Sequence, residues 1–203
     1  MTPMLEGRRI RLEPMTREHL PALEKVAFDE RIWRMMTHPV KTPEQLRAWL
    51  EKSLELEAAG TVVPWVTVLK DGNRVIGSTR FLDFDAANRT TELGNTWLAP
   101  EFHGAGINPE AKLLQLTYAF EELKLNRVAL KTHHENFQSQ AAMKKMGATY
   151  EGTFRNHYIM ADGSLRHSVW YSIIKEDWPR VKALLESRVG GDSLAAVRFP
   201  DAQ

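Results

Sequence analysis

Cysteine is absent from the 203-residue chain. Its absence excludes disulfide staples, thiolate metal sites and a cysteine nucleophile, and it suits a reducing compartment. A charge excess of either sign is also missing. The 27 basic and 26 acidic side chains leave a formal charge of +1, which removes the global electrostatic footprint of a nucleic-acid binder. No run of about 18 apolar residues occurs, and the opening MTPMLEGRRIRLE has no apolar stretch of signal-peptide length. The expectation is a soluble, cytoplasmic protein without a membrane partner. Internal repeats and linkers rich in Pro, Gly or Ser are lacking too. The length therefore reads as one domain over residues 1–189 with a flexible C-terminal tail over 190–203.

What is present is a clear alternation of patterns. Arg9 to Glu13 alternates as a strand, and Thr16 can cap a helix running to Ala27. Thr42 and Pro43 open a second helix with the apolar stripe Leu46, Trp49, Leu50 and Leu54, ended by Gly60. Val62 to Lys70 and Arg74 to Leu82 flank Asp71-Gly72-Asn73, a hairpin signal, and Thr91 to Leu98 supplies another strand. A helix follows from Pro109 to Leu123, with Asn108 as its cap, and then a strand from Arg127 to Thr132. The helix Asn136 to Lys145, the strand pair Thr149 to Met160 and Ser164 to Ile174, and the helix Asp177 to Arg188 complete the order. This order of hairpins and crossovers predicts an α+β, or mixed α/β, domain.

The segment between the strand at Trp97 and the helix at Pro109 carries the most chemical information. Gly104 and Gly106 let the backbone turn sharply and bring N–H groups close to a ligand, and the helix start adds unpaired N–H groups and a positive dipole end. Together they can seat a phosphate or pyrophosphate. No Gly-Lys-Ser/Thr follows, which excludes a P-loop, and the third glycine of a dinucleotide fingerprint is missing.

Glu101-Phe-His-Gly-Ala-Gly106 resembles the pyrophosphate loop of the GNAT acetyltransferase superfamily, usually Gln/Arg-x-x-Gly-x-Gly/Ala. Glu92-Leu-Gly-Asn-Thr-Trp-Leu-Ala-Pro100, Gly106-Ile-Asn-Pro-Glu-Ala-Lys112, the run from Lys131 to Ala148 and Glu151-Gly-Thr-Phe-Arg-Asn-His157 resemble its RimJ/RimL-type branch. Glu101 departs from the pattern, since a carboxylate repels pyrophosphate, and it is left out of the site. The resemblance implies the GNAT fold, a mostly antiparallel twisted sheet of about seven strands flanked by helices. It implies an N-acetyltransferase that takes acetyl-CoA as co-substrate. The acceptor would be a primary amine, on a protein N-terminus or a small molecule; homodimerisation stays open. A non-catalytic acyl-CoA-binding or regulatory module on the same fold is the alternative.

Carried over residue by residue, the resemblance gives Trp97, Leu98 and Ala99 the pantetheine arm, with a backbone N–H near Leu98 facing the thioester oxygen. His103, Gly104, Ala105, Gly106, Ile107 and Asn108 would hold the pyrophosphate. Asn136 would bond the pantetheine, and Ser139, one helical turn on, would protonate the departing thiolate. Met143 stands where many relatives have a tyrosine acid; a thioether has no proton to give, so it packs against the coenzyme or the core. Glu92 is the first choice for the base, with His157 and then Tyr158 behind it. Period-two counting places Glu92 on the face of Gly94 and Thr96, opposite Leu93, Asn95 and Trp97. Trp33, Trp65, Phe81 and Trp97 are candidate pocket walls, and Arg80, Arg155 and Arg166 candidate anion binders. Adjacent His133 and His134, read as strand residues on opposite faces, do not suggest a metal.

Overall fold

The computed structural model describes residues 2–190. The expected tail at 190–203 therefore lies outside the described residues from its second residue on. β1 (Leu5–Glu6) pairs antiparallel with β2 (Ile10–Pro14). A helical excursion follows, comprising a 3-10 turn at Arg17–His19, α1 (Leu20–Glu24), α2 (Glu30–Trp33) and α3 (Pro43–Ala58). The first predicted helix thus stops at Glu24, short of Ala27. The four-residue α2, capped by Asp29, is too short to leave a periodic signal in the sequence. At the head of α3 the Thr42 side chain accepts from the Gln45 N–H, and Pro43 occupies a position whose N–H would lack a partner anyway.

β3 (Val63–Leu69) and β4 (Arg74–Asp85) form the predicted hairpin, with Gly72 at φ +72° taking the left-handed turn position. β5 (Thr90–Leu98), α4 (Ile107–Thr117), a π-helical turn at Tyr118–Glu122 and β6 (Arg127–His133) come next. α5 (Phe137–Met146), β7 (Thr149–Ile159), β8 (Leu165–Ile174) and α6 (Trp178–Val189) close the chain.

The strands make one mixed sheet in the order β1-β2-β3-β4-β5-β6-β8-β7, antiparallel except where β5 meets β6. Its eight strands correct the expected count of about seven. The addition is β1, whose two residues are too few to show alternation and which exists by pairing Leu5 with Leu12 and Glu6 with Arg11. No helix among the described residues is long and apolar enough to cross a membrane.

Each face of the sheet buries its own cluster. Leu12, Trp65, Phe81, Leu93, Val128 and Tyr171 pack under α4 and α6 through Leu113, Leu116, Trp178 and Val181. On the other face, Val66, Val68 and Trp97 meet Leu23, Trp33, Leu46 and Leu50 of the helical excursion. Leu46 and Leu50 are 0% and 1% exposed, so each contributes roughly 1.5–3 kcal/mol to seating α3. The two clusters fix β5 from both sides.

Candidate active site

β5 and β6 are joined for only three steps. Thr90 pairs with Arg127, Thr91 with Val128 and Glu92 with Ala129, and beyond that the strands part although both continue. The result is a slot with unpaired backbone on both walls and Glu92 at its apex. Just beyond the apex β5 carries a bulge: Gly94 opposes Arg80 and Trp97 opposes Ser78, so three steps on β5 match two on β4. Asn95, at φ +49°, absorbs the extra residue. The bulge is pinned from α4, where buried Lys112 donates to Thr96 Oγ1 at 2.7 Å and Thr96 Oγ1 lies 2.7 Å from Thr79 Oγ1. Burial pushes the Lys112 ammonium down to about 7.

The bulge corrects the counting of faces. Strict alternation would set Glu92 and Trp97 apart, but the extra residue shifts the phase. Trp97 then joins Glu92 and Gly94 on the face of α3, while Thr96 turns to Lys112 on the face of α4. Further along, the Ala99 N–H donates to Ile76 O at 2.8 Å, toward β4. Alternation turns the Leu98 N–H and C=O the other way, into the slot. Consistently, the Leu98 carbonyl lies 3.1 Å from Nε2 of exposed His103.

From Ala99 the chain makes a 3-10 turn over Pro100–Phe102 and reaches the head of α4 with Gly104 at φ +77° and Gly106 at φ +76°. Gly106, and not Asn108, is the cap. Pro109 needs no N–H acceptor in the first turn, so the helix can begin two residues before it, and Asn108 falls inside with its buried Oδ1 unpartnered. The His103 and Ala105 amides are used within the turn, donating to Pro100 O and Phe102 O. The amides of Gly104, Gly106, Ile107 and Asn108 take no backbone partner in the loop and lead into the positive end of α4.

Sequence reasoning missed the clamp that holds this loop. Glu110, 3% exposed, accepts from the Arg9 N–H at 2.8 Å and from Arg9 Nε at 3.1 Å, and Arg9 Nη1 donates to Ala105 O at 2.8 Å. A carboxylate in a first helical turn is ordinary, so only the contact across the fold reveals this role. Glu110→Ala is expected to weaken coenzyme binding about tenfold and to cost roughly 1–3 kcal/mol in stability, because the Arg9 donors and the buried Ile10 N–H lose their acceptor. Calorimetric titration and a denaturant melt would check both.

Across the slot, Asn136 caps α5 by accepting from the Ser139 N–H at 3.0 Å. The cap uses only Oδ1 and leaves the two Nδ2 hydrogens for a ligand carbonyl. Ser139 is half-buried beside it, and Met143 packs into the core at 8% exposure. Ser139 stays with Asn136 at the head of α5 and does not join the group around Glu92.

Glu92 is 4% exposed and accepts from Lys131 Nζ at 2.6 Å. Burial lifts its carboxyl above the usual value and outweighs the opposing pull of Lys131. Burial works against the Lys131 ammonium, but Glu92 and Tyr158 outweigh it and hold the proton on lysine. Lys131 lies 5.7 Å from the centre of the Tyr158 ring and 5.0 Å from that of Trp170. The His157 ring lies tilted against Tyr158, with centres 4.0 Å apart, and its buried Nδ1 is unpartnered. Burial, then the Lys131 and Arg166 charges, lower its pKa and so favour the neutral ring. Glu92, His157 and Tyr158 therefore gather around Lys131, a residue that sequence reasoning did not single out. Nothing local in the sequence marks it, because its partner lies on the neighbouring strand.

The remaining candidates divide. Trp33 and Trp97 form an aromatic group with Trp49, with ring centres 5.6–6.3 Å apart, whereas Trp65 and Phe81 pack edge to face at 5.1 Å in the opposite core. Arg155 is exposed, Arg166 is buried against Ser168 Oγ and Met35 O, and Arg80 is buried. The premise that His133 and His134 point to opposite faces does not hold. The strand ends at His133, the two rings stack at 4.5 Å, and with Glu135 they place potential ligand atoms within 4.8 Å of one another. Both Nδ1 atoms already accept backbone N–H groups, from Glu135 and His167.

Comparison with known proteins places this geometry. The chain matches a family described as the acetyltransferase (GNAT) domain over residues 9–149. It is 38% identical over 111 residues to YdaF of Bacillus subtilis, named provisionally as a ribosomal N-acetyltransferase; the match covers 55% of this chain and 59% of YdaF, less than two thirds of that relative. It is 30% identical over 188 residues to the FsC-acetyl coenzyme A-N(2)-transacetylase of Aspergillus fumigatus, covering 89% of this chain and 80% of that protein. In fold it resembles RimJ of Mycobacterium smegmatis, solved with CoA-disulfide, with a TM-score of 0.78 and 20% identity over 95% of this chain and 99% of that one.

Proposed function

This chain belongs to the GNAT N-acetyltransferase family, and from that premise we propose that it transfers acetyl from acetyl-CoA to a primary amine by direct attack in a ternary complex. The observation that carries the reading is the parting of β5 and β6 directly beside the glycine loop at the head of α4. Extended pantetheine fits the slot as a missing strand, and the free amides of Gly104, Gly106, Ile107 and Asn108 suit the pyrophosphate. His103 flanks the loop, and Trp97, Leu98 and Ala99 line the β5 wall. Asn136 would reach a pantetheine carbonyl from the opposite wall.

The neutral amine attacks the thioester carbonyl and its oxygen gains charge, which the Leu98 N–H would stabilise. The C–S bond then breaks, the Ser139 hydroxyl passes a proton to the leaving thiolate and regains one from solvent water, and Glu92 takes the amine proton directly or through a water and returns it to solvent. His157, neutral and adjacent, is the second candidate base. An α-amine titrates near 8 and a lysine amine near 10.4, so roughly two units less help is needed for the former. The names of the relatives point to a ribosomal acceptor in one case and an N(2) amine in another.

Coenzyme-thiol release, followed with acetyl-CoA against a panel of peptides, amino acids and diamines, tests the reading. Turnover with at least one amine is expected. Coenzyme binding without thiol release for every acceptor would instead indicate a non-catalytic acyl-CoA-binding module.

A further inference from the structure

We infer that the acceptor carries a carboxylate close to its amine, and that Arg80 and the indole N–H of Trp97 form the seat for it. This inference rests on the acetyl-transfer reading for the amine, but its structural basis is separate.

Arg80 lies on β4 opposite Gly94, next along the face to the Leu82–Glu92 pair, and it is 4% exposed. Its Nε and Nη2 are buried and have no hydrogen-bond partner, and no carboxylate among the described residues forms an ion pair with it. Its guanidinium carbon lies over the Trp49 ring, 4.5 Å from the ring centre. Burial lowers its pKa to about 10, and no neighbouring charge opposes the shift. Buried guanidiniums are costly unless they are paired. Arg166, also buried on this face, bonds Ser168 Oγ and Met35 O, so the vacancy at Arg80 is particular to that residue.

The identity of the free atoms narrows the ligand. Nε and one terminal nitrogen form the side edge of the guanidinium, which grips the two oxygens of a carboxylate in parallel. Arg17 holds Glu51, and Arg31 holds Asp29, through these same two atoms. Trp97 Nε1 is likewise buried without an acceptor, and its ring stands 6.2 Å from that of Trp49. The bulge at Asn95 brings Trp97 to this face. Three unpaired donors therefore lie around Trp49, itself only half-buried. One positive charge with no second cation beside it balances a carboxylate better than a phosphate dianion. Arg80 on β4 and Glu92 on β5 are diagonal neighbours on one face, roughly 7–8 Å apart. A single small acceptor can reach both.

The test uses glycine, β-alanine and 4-aminobutyrate against their carboxamides, with phosphoethanolamine matched to β-alanine. Binding is read by calorimetry on the CoA-loaded protein, and transfer by thiol release. At least one carboxylate is expected to bind tenfold or more tightly than its carboxamide. Arg80→Gln should abolish that difference, and Arg80→Lys, which keeps the charge but not the fork, should restore part of it. Equal binding of acids and amides by the wild type would overturn the inference. So would a preference that survives in Arg80→Gln, or a larger gain from phosphoethanolamine than from β-alanine. Carboxylate-selective binding without thiol release would leave the seat standing and remove the transfer reading.

Discussion

Glu92→Gln is expected to lower kcat by about 100-fold while changing the affinity for acetyl-CoA less than twofold. Glutamine keeps the shape of the side chain at the apex of the slot but cannot accept a proton, and general-base catalysis contributes roughly 10²–10⁴. The pH profile gives the sharper readout. Burial holds the Glu92 carboxyl above its ordinary value. The acid limb of wild-type kcat/KM should therefore lie above the normal carboxylate range and should disappear in the variant. Stability supplies an independent sign. A carboxyl whose folded pKa is raised binds more protons folded than unfolded between the two values, so wild-type stability should fall as pH rises through that window. Glu92→Gln should lack this fall. An unchanged rate across pH would move the base to His157, and His157→Gln would then carry the loss.

The second large effect is expected at Gly77. A Cβ built there would lie 2.1 Å from the Trp97 carbonyl oxygen and 2.9 Å from Leu98 Cα, both backbone atoms that no side-chain rotation can move. β4 and β5 would have to separate at the point where β4 holds the Leu98 N–H toward the slot. Gly77→Ala should cost about 3 kcal/mol. That corresponds to roughly 6–12 °C in Tm for a domain of this size, and acetyl-CoA affinity should fall tenfold or more. Gly104→Ala is the comparison. Its Cβ would meet nothing within 4 Å, so only the left-handed backbone resists, at roughly 1–2 kcal/mol. A Gly77 variant as stable as wild type would show that the strands can part there without cost.

Much of this arrangement is legible in the sequence, for a local reason. Thr42-Pro43, Asp71-Gly72-Asn73, Gly104, Gly106 and Asn136 set backbone geometry within a few residues, so their effects can be read along the chain. Long-range features could not be read in this way. The bulge at Asn95 exists only against β4, and it reverses the face of Trp97 that alternation gives. The Arg9–Glu110 clamp joins residues 101 apart, and the Glu92–Lys131 pair spans 39. The helix before β6 shows the same limit: Asn108 has the composition of a cap, yet the backbone turns two residues earlier, at Gly106. Arg80 could be proposed as an anion binder from residue type alone, but the emptiness of its side edge is a property of the packed face.

Hydrogen exchange of the loop amides, with and without acetyl-CoA, bears most directly on the central claim. The account predicts slowed exchange at Gly104, Gly106, Ile107 and Asn108 when coenzyme is bound, and little change at His103 and Ala105, whose N–H groups are already held within the turn. Unaltered exchange at the first four under saturating acetyl-CoA would contradict it.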